Sequence, residues 1–437
     1  MQPPCVVYRE RRPRAAAKSL AALSGGGETG EILRSMKWDA TGVSLIEHWP
    51  QSLRTAVSIL LETKFPMYIA WGETFTQFYN DAFLPILGTT KHPAAMGSST
   101  QQTFAESWDT MGPIFTGVRQ GEAFGFIDWA LPFARRGFLE ECYFNVTFSP
   151  IRDEGGNVGG VLGIMTESTT QVLGERRLRT LLELAERAIE VKDVAEACRS
   201  AVEALRTNDG DVPFALMYLL SADQTYFDLV ASAALPAGSA AAPLRPECQE
   251  NGNGWPLAEA LQHSAPVVVS DVATRFGCLS VGKWPEAPNM AVALRILRHG
   301  ESHAYGVLIV GVSPRLLFDD GYREFFELVA GHFACSLANA RAHEEKQRRA
   351  EMLAQVDESK TVFLATSAMS SARRSRLCSA QPPMRWHRRN VPCAALTSRW
   401  CTAMPAACCG SSTPCWIFRA SKRAGCKRIT SRRISRR

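Results

Sequence analysis

Two α+β domains in series, joined by charged helices and followed by a disordered basic tail, are the fold class this sequence predicts. Three observations predict it. Two separate sets of short apolar, strand-like segments are each interleaved with helical patterns. Highly charged helical stretches follow each set. From Ala365 to Arg437 there is no Asp or Glu at all, against 14 Arg and 2 Lys. The chain's +6 charge therefore averages an acidic body with a basic tail, and by itself implies no nucleic-acid partner. A length of 437 residues leaves room for two or three domains.

Residues 1–36 are rich in Arg, Ala and Gly, with Gly25–Gly27 as a flexible break, and are expected to be disordered. The first domain is placed at 37–171. It opens with a helix over Ser52–Leu61, whose Leu53, Val57 and Leu60 share one face. Met67–Trp71 and Thr76–Tyr79 read as strands joined by a tight turn at Gly72-Glu73. Helical pieces at Ala82–Leu87 and Ser107–Arg119 come next. Strands are expected at Ala123–Leu131, Cys142–Pro150 and Val158–Met165, which makes five. The loop Asp153–Asn157 between the last two contains paired glycines that accept positive φ.

A helical linker fills 172–192. Leu178, Leu182, Ala185 and Ile189 form an a/d-like stripe on it, while Glu175, Arg176, Arg177, Arg179 and Glu183 fill the other faces. The stripe suits a paired coiled coil, and it equally suits a helix packed on its own domain. The second domain, 193–342, begins with a helix at Asp193–Arg206. Strands follow at Phe214–Leu220 and Phe227–Ala234, a helix at Leu257–His263, then strands at Val267–Ser270, Ala291–Leu297 and Ala304–Val312. A long helix starts near Asp320. Its second half, 343–364, is too polar for a core and reads as an exposed or dimeric coil. Residues 365–437 are expected to be disordered.

Composition excludes several classes. No apolar run reaches about 18 residues, so no membrane span is expected. The N-terminus lacks the pattern of a secretory signal. The six body cysteines stand singly, as reduced thiols in a cytoplasm do. In the tail, Cys401, Cys408, Cys409 and Cys415 lack paired C-x₂₋₄-C spacing, and His387 stands alone, so a zinc site is not expected. None of His48, His92, His263, His299, His303 and His332 has a companion that points to haem or metal. No phosphate-binding glycine loop or Mg²⁺ site appears, so no catalytic residue, metal or cofactor is assigned. The tail's charge lacks interleaved aromatics, so specific nucleic-acid recognition is not expected.

In the first domain Trp71, Tyr79, Asn80, Trp108, Trp129 and Tyr143 suit a pocket for a small planar ligand, and they suit an ordinary core as well. In the second domain Trp255, Trp284 and Tyr305 are the pocket candidates.

The segments WPQSLRTAVSILLETKFPMYIAWG, FYNDAFLPILG and YFNVTFSPIRDEGGNVGGVLGIMTEST resemble a PAS domain, with the last matching its closing hairpin and signalling helix. WPLAEALQHSAPVVVSDV and YGVLIVGVSPRLLFDDGYREFFELVAGHFACSLANARAHEE resemble a GAF domain. Together, over about 37–363, they resemble the input half of soluble bacterial sensor histidine kinases. The GAF-like part has no cyclic-nucleotide signature, and Cys278 is followed by Leu279 where a bilin-attaching cysteine is followed by His.

In that family the GAF helix leads into a segment like RAKTAFFSNVSHEFRTPL, which holds the phosphoacceptor His. Here the match runs through Lys360–Phe363 and stops. Shifting the reading by one base from Ala365 permits NVSHEFRTP. The same phase from Trp400 to Gly425 permits VHRNA, then less determined residues, then LRLVNTLLDFSRIEAGR. Trp416 followed by Ile417 forces a codon for Asp there. Both runs look like the two helices of a kinase dimerisation domain, so a one-base slip between Phe363 and Thr366 is expected. The resemblance implies a sensory module without its phosphoacceptor His, hence no enzyme as written. ATP, Mg²⁺ and a response regulator belong only to intact relatives. A homodimer through the helical linkers is implied. The alternative is a stand-alone regulatory protein that forms mixed dimers with intact kinases.

Overall fold

The computed structural model describes residues 23–189, 191, 193–248, 254–297 and 304–379, with side chains as far as 366. Residues 1–22, the loop at Gly252, His299, His303 and the tail from 380, with its cysteines and most of the alternate-frame runs, lie outside the described residues. The chain divides into two units, Met1–Thr361 and Val362–Arg437.

The first domain contains helices α1 (Gly27–Ser35), α2 (Gln51–Glu62), α3 (Leu84–Lys91), α4 (Thr100–Thr103) and α5 (Trp108–Arg119). Its strands are β1 (Met67–Trp71), β2 (Thr76–Tyr79), β3 (Phe124–Ala130), β4 (Phe133–Ala134), β5 (Leu139–Glu140), β6 (Tyr143–Arg152) and β7 (Val158–Glu167). Five of them form an antiparallel sheet in the order β2-β1-β7-β6-β3. Phe144, Val146 and Phe148 on β6 are buried while Asn145 and Thr147 face outward, the period of two that a half-buried strand requires. The β6–β7 turn forms as its sequence predicts: the Asp153 carboxylate accepts from the backbone N–H of Gly155 and Asn157, and Gly156 sits at φ +85°.

One expectation for 1–36 is corrected. Residues 27–35 are helical, and Leu23 and Leu33 are buried. The cause is remote in sequence. Asp81 accepts from both the N–H and the hydroxyl of Thr29 (2.9 and 2.6 Å), so a carboxylate 52 residues away satisfies the first turn of α1. Trp38 then stacks on Phe78 at 4.8 Å and meets Trp49 edge-on at 5.1 Å, which fixes the entering segment to the core.

The short hairpin β4–β5 was not expected at all. It docks on α3 at Gly88, whose φ of 63° and ψ of −159° interrupt the helix. A Cβ there would lie 2.3 Å from the Arg135 carbonyl oxygen, so only glycine allows the approach. Thr89 N–H donates to that same carbonyl.

Helix α6 (Thr169–Arg187) connects to the second domain. There follow α7 (Val194–Arg206), β8 (Ala215–Leu220), β9 (Phe227–Ala233), α8 (Leu257–Gln262), β10 (Val267–Val269), α9 (Val272–Phe276), β11 (Ala291–Ile296) and β12 (Gly306–Gly311). The sheet order is β10-β11-β12-β8-β9. Both of its faces are covered. Met217, Leu294, Leu308 and Val310 pack into one core with α7, and Leu216, Tyr218, Val307 and Ile309 pack into another. This double burial explains why β12 reads as an unbroken apolar run.

Helix α10 spans Asp320–Ser379. It continues through 365–379, where disorder was expected. Ala, Ser, Arg, Met and Leu dominate that stretch and tolerate helix, and the first prolines come only at Pro382 and Pro383. On α6 the predicted stripe is not the packing face. Leu173 and Leu184 are buried, whereas Leu178 and Leu182 are each 56% exposed and Ile189 83%.

Candidate functional site: a charged junction between the two sheets

The first domain's pocket candidates are divided among several roles. Tyr79, Trp108 and Trp129 join one ring network through Phe83, Tyr68, Phe115 and Phe148. Trp71 lies against Gly159 and Gly160 of β7. Asn80 spends its side chain on backbone: its amide donates to the carbonyls of Thr63 and Phe65, and its oxygen accepts from Met67 N–H. The Tyr79 hydroxyl meets His92 Nδ1 at 3.0 Å. Tyr143 faces away from these, packing against the second domain's core.

The second domain's candidates do not meet. Trp255 belongs to one core, between Phe214 and Phe276, and donates to the Ala241 carbonyl. Tyr305 belongs to the other core, across the sheet. Trp284 lies in the loop before β11, with Lys283 and Arg315 each 4.4 Å from its ring.

What the fold does bring together is a set of charges of which the sequence singled out only Arg176 and Arg177, as part of the polar faces of the linker helix. Arg176, on α6, donates to both carboxylate oxygens of Glu141 at 2.8 and 3.0 Å. It also donates to both oxygens of Asp211 at 3.1 and 2.9 Å. Glu141 precedes β6 in the first domain, and Asp211 follows α7 in the second. Asp211 is fully buried and also accepts from Asn208 Nδ2 at 3.0 Å. Lys283 Nζ reaches Glu141 at 3.6 Å. A second cluster lies beside it: Arg135 donates to Glu140 and forms a two-point pair with Glu167 at 2.8 and 2.7 Å. Guanidinium groups suit such double engagement because their N–H groups form a rigid fork.

Burial pushes the Glu141 carboxyl up, but hydrogen bonds and charge from Arg176, with Tyr143 and Lys283, outweigh it and hold it below the usual range. Glu167 behaves likewise, its burial outweighed by Arg135. Burial, and then Glu141, push the Tyr143 phenol up to about 12. A depressed carboxylate contributes stability above its ordinary pKa, about 4.3 for Glu. That contribution disappears as pH falls through the lower folded value. Glu141→Gln is therefore expected to flatten the loss of stability below about pH 4.3. Urea midpoints of the variant and the parent, compared at neutral and acid pH, measure this.

A cleft of about 620 Å³ opens beside the charges, with Leu173, Leu181, Leu316 and Phe325 among its apolar lining. Among the described residues no group of three His, Cys, Asp or Glu could hold a metal ion. Nor is any described helix long and apolar enough to cross a membrane.

The GAF domain family model matches residues 191–338. The second domain is a GAF domain. Such a domain fits a signal-sensing role. Among solved structures, the chain is similar to the GAF domain of an Acinetobacter phosphoenolpyruvate-protein phosphotransferase. The two are 18% identical over 38% of this chain and 94% of that one, with a TM-score of 0.30. It is also similar to the phytochrome photosensory core module of Stigmatella aurantiaca, at 11% identity over 66% of this chain and 59% of that one, TM-score 0.31. A third is residues 122 to 287 of a methyl-accepting chemotaxis protein, at 18% identity over 36% and 97%, TM-score 0.27. No curated protein matches the sequence.

Proposed function

We propose that this chain is the sensory input module of a cytoplasmic two-component histidine kinase, read out of frame from the phosphoacceptor segment onward. In this reading 37–171 is a PAS domain, the GAF domain follows, and α10 is the signalling helix. The observation that carries the reading is the pair of alternate-frame runs, in one phase and in order, beginning where α10 passes Phe363. The sheet order β2-β1-β7-β6-β3 supports the PAS assignment. Phosphoryl transfer needs an acceptor and a nucleotide cradle with Mg²⁺. The segments that supply them in intact kinases are not read in frame here, so the chain as written is not an enzyme. Resequencing the gene across the codons for Phe363–Thr366 tests the slip. An extra or missing base relative to intact kinase genes supports it, and an unbroken frame shared with them removes it.

The partner of this reading is a second copy of the chain. Leu178 and Leu182 on α6, with Leu353, Val356 and Phe363 on α10, are exposed apolar side chains on helices. An isolated helix as polar as the second half of α10 gains little from its own hydrogen bonds, and pairing supplies the missing packing. The same stripe would support the second reading, a regulatory protein that pairs with intact kinases. A monomer at micromolar concentration contradicts both.

A further inference from the structure

We propose that the Arg176 junction is a conformational coupling device that ties the state of the first domain to the start of α10. It does not depend on the output being a kinase. Five separated parts of the chain meet there. Glu141 comes from the turn between β5 and β6, and its backbone N–H donates to the Arg315 carbonyl at 2.9 Å. Arg176 and Arg177 come from α6, and Asn208 and Asp211 from the turn after α7. Lys283 and Trp284 come from the loop before β11, where Arg315 also pairs with Glu286 at 2.8 Å. Tyr322 comes from the first turn of α10. Its hydroxyl donates to the Asp211 carbonyl and accepts from Ser313 N–H. The Arg177 guanidinium lies 4.3 Å above the Tyr322 ring.

The chemistry makes this arrangement discrete. Arg176 is committed to four hydrogen bonds, two to each carboxylate. Moving Glu141 away strands one buried charge, and following it strands Asp211, so intermediate positions are disfavoured. A network of that kind switches between arrangements instead of deforming gradually, and that is what passes a change from one element to another. Asp211 carries the link onward, because the residue that binds Arg176 through its side chain holds Tyr322 through its carbonyl. Arg176 is a positioning residue here.

Amide hydrogen exchange on the full chain tests the coupling. Glu141→Gln removes the first domain's charge with little change of shape, and Arg176→Lys keeps the charge but loses the fork. Val57→Ala, in the first domain's core and away from the junction, controls for simple destabilisation. The expected result is exchange about tenfold faster at the start of α10, around Tyr322, in Glu141→Gln, with Val57→Ala leaving that segment as in the parent. Arg176→Lys should do the same, and if it does not fold, Glu141→Gln alone decides. Faster exchange confined to the β4–β6 region and α6, or an equal response to Val57→Ala, overturns the proposal.

Discussion

Asp211→Ala is expected to lower the stability of the GAF domain by about 3–5 kcal/mol. The size follows from what the substitution leaves behind. Arg176 loses two hydrogen bonds, Asn208 loses one, and Arg177, whose Nε stands 3.7 Å from Asp211, loses its nearby carboxylate. Arg176 and Arg177 then hold positive charge in a half-buried place with only the Glu141 carboxylate to answer it. Removing one partner of a buried pair costs far more than the pair's net contribution, because the other charge cannot be rehydrated. Asp211→Asn keeps an acceptor and should cost less. Urea unfolding followed by circular dichroism measures both, with an unchanged slope showing that the loss lies in the native state. A loss under about 1 kcal/mol for Asp211→Ala would mean that water replaces the carboxylate at the junction.

Phe115→Ala is the second large effect, expected at about 3–5 kcal/mol in the first domain. Phe115 is fully buried on α5. Its ring lies within 6.3 Å, centroid to centroid, of the rings of Tyr68, Phe75, Trp108 and Phe148. These come from β1, the β1–β2 connection, α5 itself and β6, so one ring ties helix to sheet. Truncating it removes the transfer free energy of the ring and leaves a cavity that surrounding rings only partly fill. Tryptophan fluorescence during thermal unfolding reports it directly, since Trp108 packs against Phe115. A near-neutral result would indicate that these aromatics border a pocket able to collapse.

Much of the fold was legible because its signals are local. The β6–β7 turn carries its own glycines and its own Asp153 acceptor. Strand β12 is apolar throughout because both faces of its sheet are covered. Helix α7 starts where Asp193 accepts from Glu196 N–H at 2.7 Å, an ordinary N-cap. What escaped detection depends on distance in the chain. Helix α1 relies on Asp81, and β4–β5 on Arg135 pairing with Glu140 and Glu167. Arg176 stands 35 residues from Glu141 and 35 from Asp211, so no local pattern joins the three. Arg176 reads as one more charge on a polar helix face. The available clue was Glu140-Glu141 beside Cys142, two acids entering an apolar strand, a place where charges need partners. Aromatic residue type was a weaker guide. Trp255 and Tyr305 suit a pocket on paper, yet they fall on opposite faces of one sheet.

The α6 stripe shows a different kind of limit. Its spacing identified Leu178 and Leu182 as a set, but spacing does not say what covers them. In the single chain they face outward while Leu173 and Leu184 pack inward, and the function proposed above gives the outward set to a second copy.

The central claim is that the chain senses but does not phosphorylate, because its phosphoacceptor segment is read in the wrong frame. Incubation with radiolabelled ATP and Mg²⁺ tests it most directly, with the chain as written beside a gene whose frame is restored after Phe363. The account predicts acid-labile label on the restored protein and none on the chain as written. Label on the chain as written, or a restored protein that stays unlabelled although folded and able to bind ATP, would contradict it.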